Sequence, residues 1–129
     1  MDQKELVRAI AARTRLSREE AADVTRAVLE GLAGQLSEGE ARRLAADLPA
    51  PLGEQLQASQ RGRKKEAHPT EVDDFIRQVS ERTGLTSEDT RDGASAVLVT
   101  LRETLDGDDY RHLVGQLPAG YNGLTEPTA

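Results

Sequence analysis

The side chains of this sequence that could do chemistry are two imidazoles, one serine set among small residues and several adjacent carboxylates. His68 and His112 are the only histidines. A transition-metal site gathers several His, Cys or carboxylate ligands at one point, and the chain has no Cys, no H-x-x-x-H and no E-x-x-H to start such a set. Asp106-Gly107-Asp108-Asp109 has the opening of a calcium loop, but the twelfth position counted from Asp106 is Leu117, where a bidentate Glu is required; a helix cap is the better reading. Ser95, between Gly93-Ala94 and Ala96-Val97, lacks the second Gly and the strand-turn-helix setting of a nucleophile elbow. Glu19-Glu20, Asp73-Asp74 and Glu88-Asp89 fall in first turns of helices, where the helix dipole favours negative charge. No phosphate-cradling G-x-G-x-x-G or G-x-x-x-x-G-K-[ST] occurs. The expectation is a protein that is not an enzyme, with no metal and no cofactor.

Other polar residues are informative because they recur. Sliding the sequence on itself by 69 positions pairs residues 6–56 with residues 75–125 without a gap, and 16 of the 51 pairs are identical. Among them are Arg8 with Arg77, Arg13 with Arg82, Asp23 with Asp92, Ala27-Val28-Leu29 with Ala96-Val97-Leu98, and Leu48-Pro49-Ala50 with Leu117-Pro118-Ala119. The repeated Arg and Asp residues predict ion pairs between helices, each contributing about 0–1 kcal/mol if exposed.

Periodicity supplies the elements that must carry them. Leu6, Val7, Ile10 and Ala11 recur at spacings of three and four, so residues 3 to 14 read as an amphipathic helix. Ser17 with Glu20 forms a capping box that opens a second helix over about 18 to 35, and Ser37 with Glu40 opens a third that Pro49 and Pro51 end. Residues 52 to 58 have room for one further helical turn that returns Leu52 and Leu56 to the core. The second half repeats the plan: a helix over about 71 to 83 stopped by Gly84, a long one capped by Thr86 with Asp89, and a last one opened by Asp106 with Asp109. The expected fold is all-α, two pseudo-symmetric three-helix repeats packed into one helical bundle domain. Its divisions are a first repeat over 1–58, a basic flexible linker over 59–70, a second repeat over 71–121 and a loose tail over 122–129.

Composition agrees. Helix formers dominate, and Phe75, Tyr110 and Tyr121 are the only aromatics. The absence of Cys fits a reducing compartment, and no basic-then-apolar leader or 18-residue apolar run is present, so a cytoplasmic location away from the membrane is expected. The formal charge of −6 is uneven: residues 1–58 carry 8 basic and 10 acidic groups, 59–69 carry 4 and 1, and 70–129 carry 5 and 12.

The doubled helix pattern, its Leu-Ser/Thr caps, the Ala-Val-Leu core and the Leu-Pro-Ala ending together resemble the bacterial family catalogued as domain of unknown function 2267, over nearly the whole chain. That resemblance implies a helical fold and adds no catalytic residue. Lys4-Glu5-Leu6-Val7, Leu16-Ser17 and Ala27-Val28-Leu29-Glu30 are also similar to the amino-terminal helices of the bacterial histone-like HU proteins, over about 35 residues. That likeness implies helix pairing; the DNA-gripping β-ribbon of those proteins has no counterpart, since Leu44 to Pro49 continues as helix.

The function expected from these observations is a non-catalytic interaction or scaffold module that binds a protein partner or itself, with the Leu48-Pro49 and Leu117-Pro118 ends as candidate edges. A weak nucleic-acid-associated role is the alternative, carried by Arg61, Arg63, Lys64 and Lys65, and a small-molecule site or enzyme comes third. An overall negative chain repels a polyanion over most of its surface, so no specific nucleic-acid complex is expected.

Overall fold

The computed structural model of the chain describes residues 2–61 and 70–125, and every regular element among them is helical. Asp2 accepts the Glu5 amide at 2.8 Å and opens α1 (Gln3–Ala12). Ser17 and Glu20 form the full capping box of α2 (Arg18–Ala33). Ser37 caps α3 (Glu38–Asp47) through the Glu40 amide at 3.2 Å, but the reciprocal bond from Glu40 is replaced: the Ser37 amide donates to the Gln116 side chain at 2.9 Å. The Glu40 side chain is instead buried, 3.8 Å from Arg43.

After Pro49 the chain forms α4 (Ala50–Arg61), a full helix of 12 residues where the sequence suggests one turn. Pro51 stands at its second position, where the missing amide has no intrahelical acceptor to lose, so this proline starts a helix as readily as it ends one. Leu52 and Leu56 are thereby buried on the core, as expected. The helix also passes the expected boundary at residue 58, since no Gly or Pro stands between Ala58 and Gly62. Of the basic linker, residues 62–69 lie outside the described residues.

The second half comprises α5 (Val72–Thr83), α6 (Ser87–Thr104) and α7 (Gly107–Gly115), then a 3-10 turn (Ala119–Tyr121) and the single-turn α8 (Asn122–Thr125). Gly84 terminates α5 in the left-handed conformation at φ 76°, the stop its position in the sequence predicts. Within the segment expected as a tail, Leu124 is buried and its carbonyl accepts the Ser95 hydroxyl at 2.7 Å. Residues 126–129 lie outside the described residues.

The centre is α2 against α6, through Val24, Val28, Leu32, Val97, Leu98 and Leu101, each at most 1 % exposed. Burial of such a side chain stabilises by roughly 1.5–3 kcal/mol. Around this pair, α1 packs on both α2 and α6, and α5 packs on both α6 and α2. The α4 helix lies on α2 and α3, α8 lies on α6, and α3 faces α7. Among the described residues no helix is long and apolar enough to cross a membrane.

Candidate functional site: an open groove between the first two helices

The repeated ionic residues form bridges different from those that repetition suggests. Arg13, which caps the C-terminus of α1, pairs with Glu103 on α6, and Arg82 on α5 pairs with Glu30 on α2 at 3.1 Å. Each arginine therefore reaches across to the other half of the chain. Asp23 pairs with Arg26 inside α2, and Arg77 with Asp74 inside α5 at 3.1 Å; Arg8 and Asp92 enter no ion pair among the described residues. The carboxylates that tie the halves, Glu30 and Glu103, are not at repeating positions: residue 99 is Val and residue 34 is Gly.

Arg8 lies instead beside a groove of about 590 Å³ between α1 and α2. Gln3, Lys4, Val7 and Arg8 line it from α1, and Arg18 and Ala22 from α2. Helical spacing explains the arrangement. Lys4 and Arg8 are one turn apart on one rim, Arg18 stands on the other, and Val7 and Ala22, the latter one turn on from Arg18, lie between them. The groove is open to solvent with a largely apolar lining. Among the described residues no carboxylate lines it, and Lys4, Arg8 and Arg18 enter no ion pair.

The corresponding place in the second half is bridged by an ion pair. There Asp73 stands for Lys4, Ile76 for Val7, Ser87 for Arg18 and Arg91 for Ala22. Arg91 bridges from α6 to Asp73 on α5 at 3.1 Å, and Ile76 is 3 % exposed where Val7 is only half-buried. Two differences thus decide the outcome: Ala22 is too short to cross the groove, and Lys4 has the wrong sign to be met by an arginine.

Residues 3–124 match the family described as an uncharacterized conserved protein, DUF2267. The chain belongs to that family. No curated protein matches it.

The remaining polar clusters of this DUF2267 chain hold its helices together. Thr70 is fixed by a closed ring: its amide donates to Gln35 Oε1 at 2.9 Å, its carbonyl accepts the Tyr121 hydroxyl at 2.8 Å, and Gln35 Nε2 donates to that hydroxyl at 2.8 Å. The Tyr121 ring meets Phe75 edge-on, centroids 5.3 Å apart, and burial pushes its phenol up to about 12. Where α3 faces α7, Ser37 bonds Gln116 at one end of the seam. At the other end the equivalent places hold Asp47 and Asp106, with Asp109 beside them. Partial burial, the hydrogen bond and charge of Asp109 and the charge of Asp106 raise the Asp47 carboxyl above its ordinary value, against Arg43. Asp106 caps α7 through the Asp108 amide at 2.9 Å, one residue short of the Asp109 amide that the sequence suggests.

The candidate edge at Leu48-Pro49 borders a shallower hollow of about 290 Å³ between α3 and α4. His112 is exposed on α7, and His68 lies outside the described residues, as do Arg63, Lys64 and Lys65; Arg61 is the last residue of α4. Among the described residues no three His, Cys, Asp or Glu side chains are grouped to hold a metal ion. Sequence reading singled out Arg8 but missed the groove it lines. The signal available was the contrast of Lys4 and Ala22 with Asp73 and Arg91 across the repeat.

Proposed function

We propose that this protein is a non-catalytic helical interaction module, located in the cytoplasm, which binds a protein partner or a second copy of itself. The open α1–α2 groove supports this reading: it leaves apolar surface and three cations uncovered on a chain that spans the equivalent place of its second half with the Arg91–Asp73 bridge. An open groove between helices suits an element laid along it better than a reaction that must exclude water. The test is affinity capture from native lysate with the intact protein, alongside sedimentation over a range of concentrations. A chain that stays monomeric and captures nothing reproducibly sinks the proposal.

We further read the chain as two interlocked copies of one helical unit. Supporting this, α1 and α5 each lie on both central helices, and Arg13 and Arg82 each cross to the other half. A unit of some 60 residues buries too little surface to be robust alone. Residues 1–61 or 70–129 expressed separately should lack a cooperative melt and regain one on mixing; a half as stable as the whole chain would contradict the reading.

A further inference from the structure

We infer that the α1–α2 groove is a docking site for an acidic amphipathic helix of a partner protein. The inference rests on the interaction-module reading and names the chemistry of the occupant. Charge complementarity carries it. Lys4 and Arg8 on one rim and Arg18 on the other form a cluster of three cations on a protein of net charge −6, with no carboxylate among the described lining residues. In the equivalent place of the second half Asp73 answers Arg91, and the position that supplies this anion there holds the cation Lys4 here.

The shape selects a helix over a small anion. Val7 and Ala22 form a shallow floor, and Val7 remains half-exposed. A small ligand is usually held by burying most of its surface, which an open groove of this kind does not do. A helix lying between α1 and α2 places one apolar stripe on Val7 and Ala22 and, on either side of that stripe, carboxylates opposite Lys4, Arg8 and Arg18. The second half shows the ionic part of such an occupation from within: Arg91 meets Asp73 across the two helices, and Ile76, at the position of Val7, is buried.

That comparison also supplies the variant. Lys4→Asp with Ala22→Arg transplants the second half's bridge into the first and should fill the groove while preserving the fold. The probe is a fluorescein-labelled, end-blocked helical peptide of Leu, Ala and Glu, with Leu along one stripe and Glu on both flanks; a sister peptide carries Lys for Glu. The intact protein should bind the Glu peptide saturably, with amide shifts confined to α1 and α2 around Val7 and Ala22. Lys4→Asp/Ala22→Arg should weaken that binding about tenfold or more. If this variant does not fold, Lys4→Gln/Arg8→Gln/Arg18→Gln, which leaves the groove open and only removes charge, should show the same loss. The inference is overturned if the Glu peptide fails to bind, if the Lys peptide binds as well, if shifts map elsewhere, or if dodecanoate alone occupies the groove. A partner captured equally by the wild-type chain and by Lys4→Asp/Ala22→Arg would keep the module reading and remove this groove from it.

Discussion

Val24 on α2 packs its two γ-methyls against Gly93 on α6: a Cβ built on Gly93 would lie 2.9 Å and 3.1 Å from them. The two residues are also partners at the 69-residue offset, so the central helices cross where a position meets its own counterpart. The bare glycine makes the crossing close enough for Leu16 to reach it as well, at 3.4 Å from that Cβ.

Gly93→Ala should therefore destabilise. Alanine gains about 1 kcal/mol over glycine in a helix, but Val24 is stiff and fully buried, and overpacking a core costs typically 1–3 kcal/mol. The net loss should shrink in a Val24→Ala background, and urea melts of the two single variants and the double variant measure the coupling. Equal cost of Gly93→Ala in both backgrounds would show that this contact is not the cause.

The carboxylates at the α3–α7 seam make stability depend on acid in an uncommon direction. The folded pKa of Asp47 is raised, chiefly by partial burial and then by Asp109 and Asp106, so the protonated form is favoured in the fold. Its contribution is present at low pH and is lost as pH rises through the folded value. Asp47→Asn should be more stable than the wild type at neutral pH, and the two should converge in acid. The effect is modest because Asp47 is exposed. Thermal melts across pH 3–8 (about the carboxylate range and above) give the comparison; parallel curves would remove Asp47 as the cause.

Tyr121 acts at the alkaline end. Its folded pKa of about 12 exceeds the ordinary 10.0, because burial penalises the phenolate. Stability is complete below the ordinary value and falls as pH rises from there through the folded value. Tyr121→Phe should flatten that alkaline fall, while costing about 1–3 kcal/mol at neutral pH by leaving Gln35 and the Thr70 carbonyl short of a partner. Melts on both sides of pH 10 test both parts, and an unchanged alkaline limb in the variant would count against the burial of this phenol.

Nucleic acid should bind weakly, because the net negative charge repels a polyanion over most of the surface. Fluorescence-anisotropy titrations with duplex and single-stranded probes at about 150 mM salt should detect no specific complex, because few phosphates can be neutralised and each contact weakens with salt. Residual binding at low salt should vanish when Arg61, Arg63, Lys64 and Lys65 are replaced by Ala. Submicromolar affinity at the higher salt would instead favour the HU-like reading.

Helix starts were legible because caps are local: Ser17, Ser37 and Thr86 each accept the amide three residues on, as their spacing implies. The fourth helix was less so, since Pro51 is compatible with either ending one helix or beginning the next. The bridges from Arg13 and Arg82 escaped a search for repeated pairs because Glu30 and Glu103 do not repeat. Nor does one copy's pattern reveal the groove, which exists through what Lys4 and Ala22 fail to close. Gln35, Thr70 and Tyr121 come from three distant stretches, and no periodicity marks them as one ring.

That ring also sets a timetable for synthesis. Gln35 waits for a partner 86 residues downstream, and Arg13 for one 90 residues downstream. At ribosomal rates of about 5–20 residues per second, roughly 4–17 s separate the appearance of Gln35 from that of Tyr121. Until α5 and α6 have been made, the face of α2 destined for them has nothing from the second half to cover it. A nascent chain of this kind displays a helical apolar surface to whatever holdases surround the ribosome, and its native centre closes only when nearly the whole chain has been made.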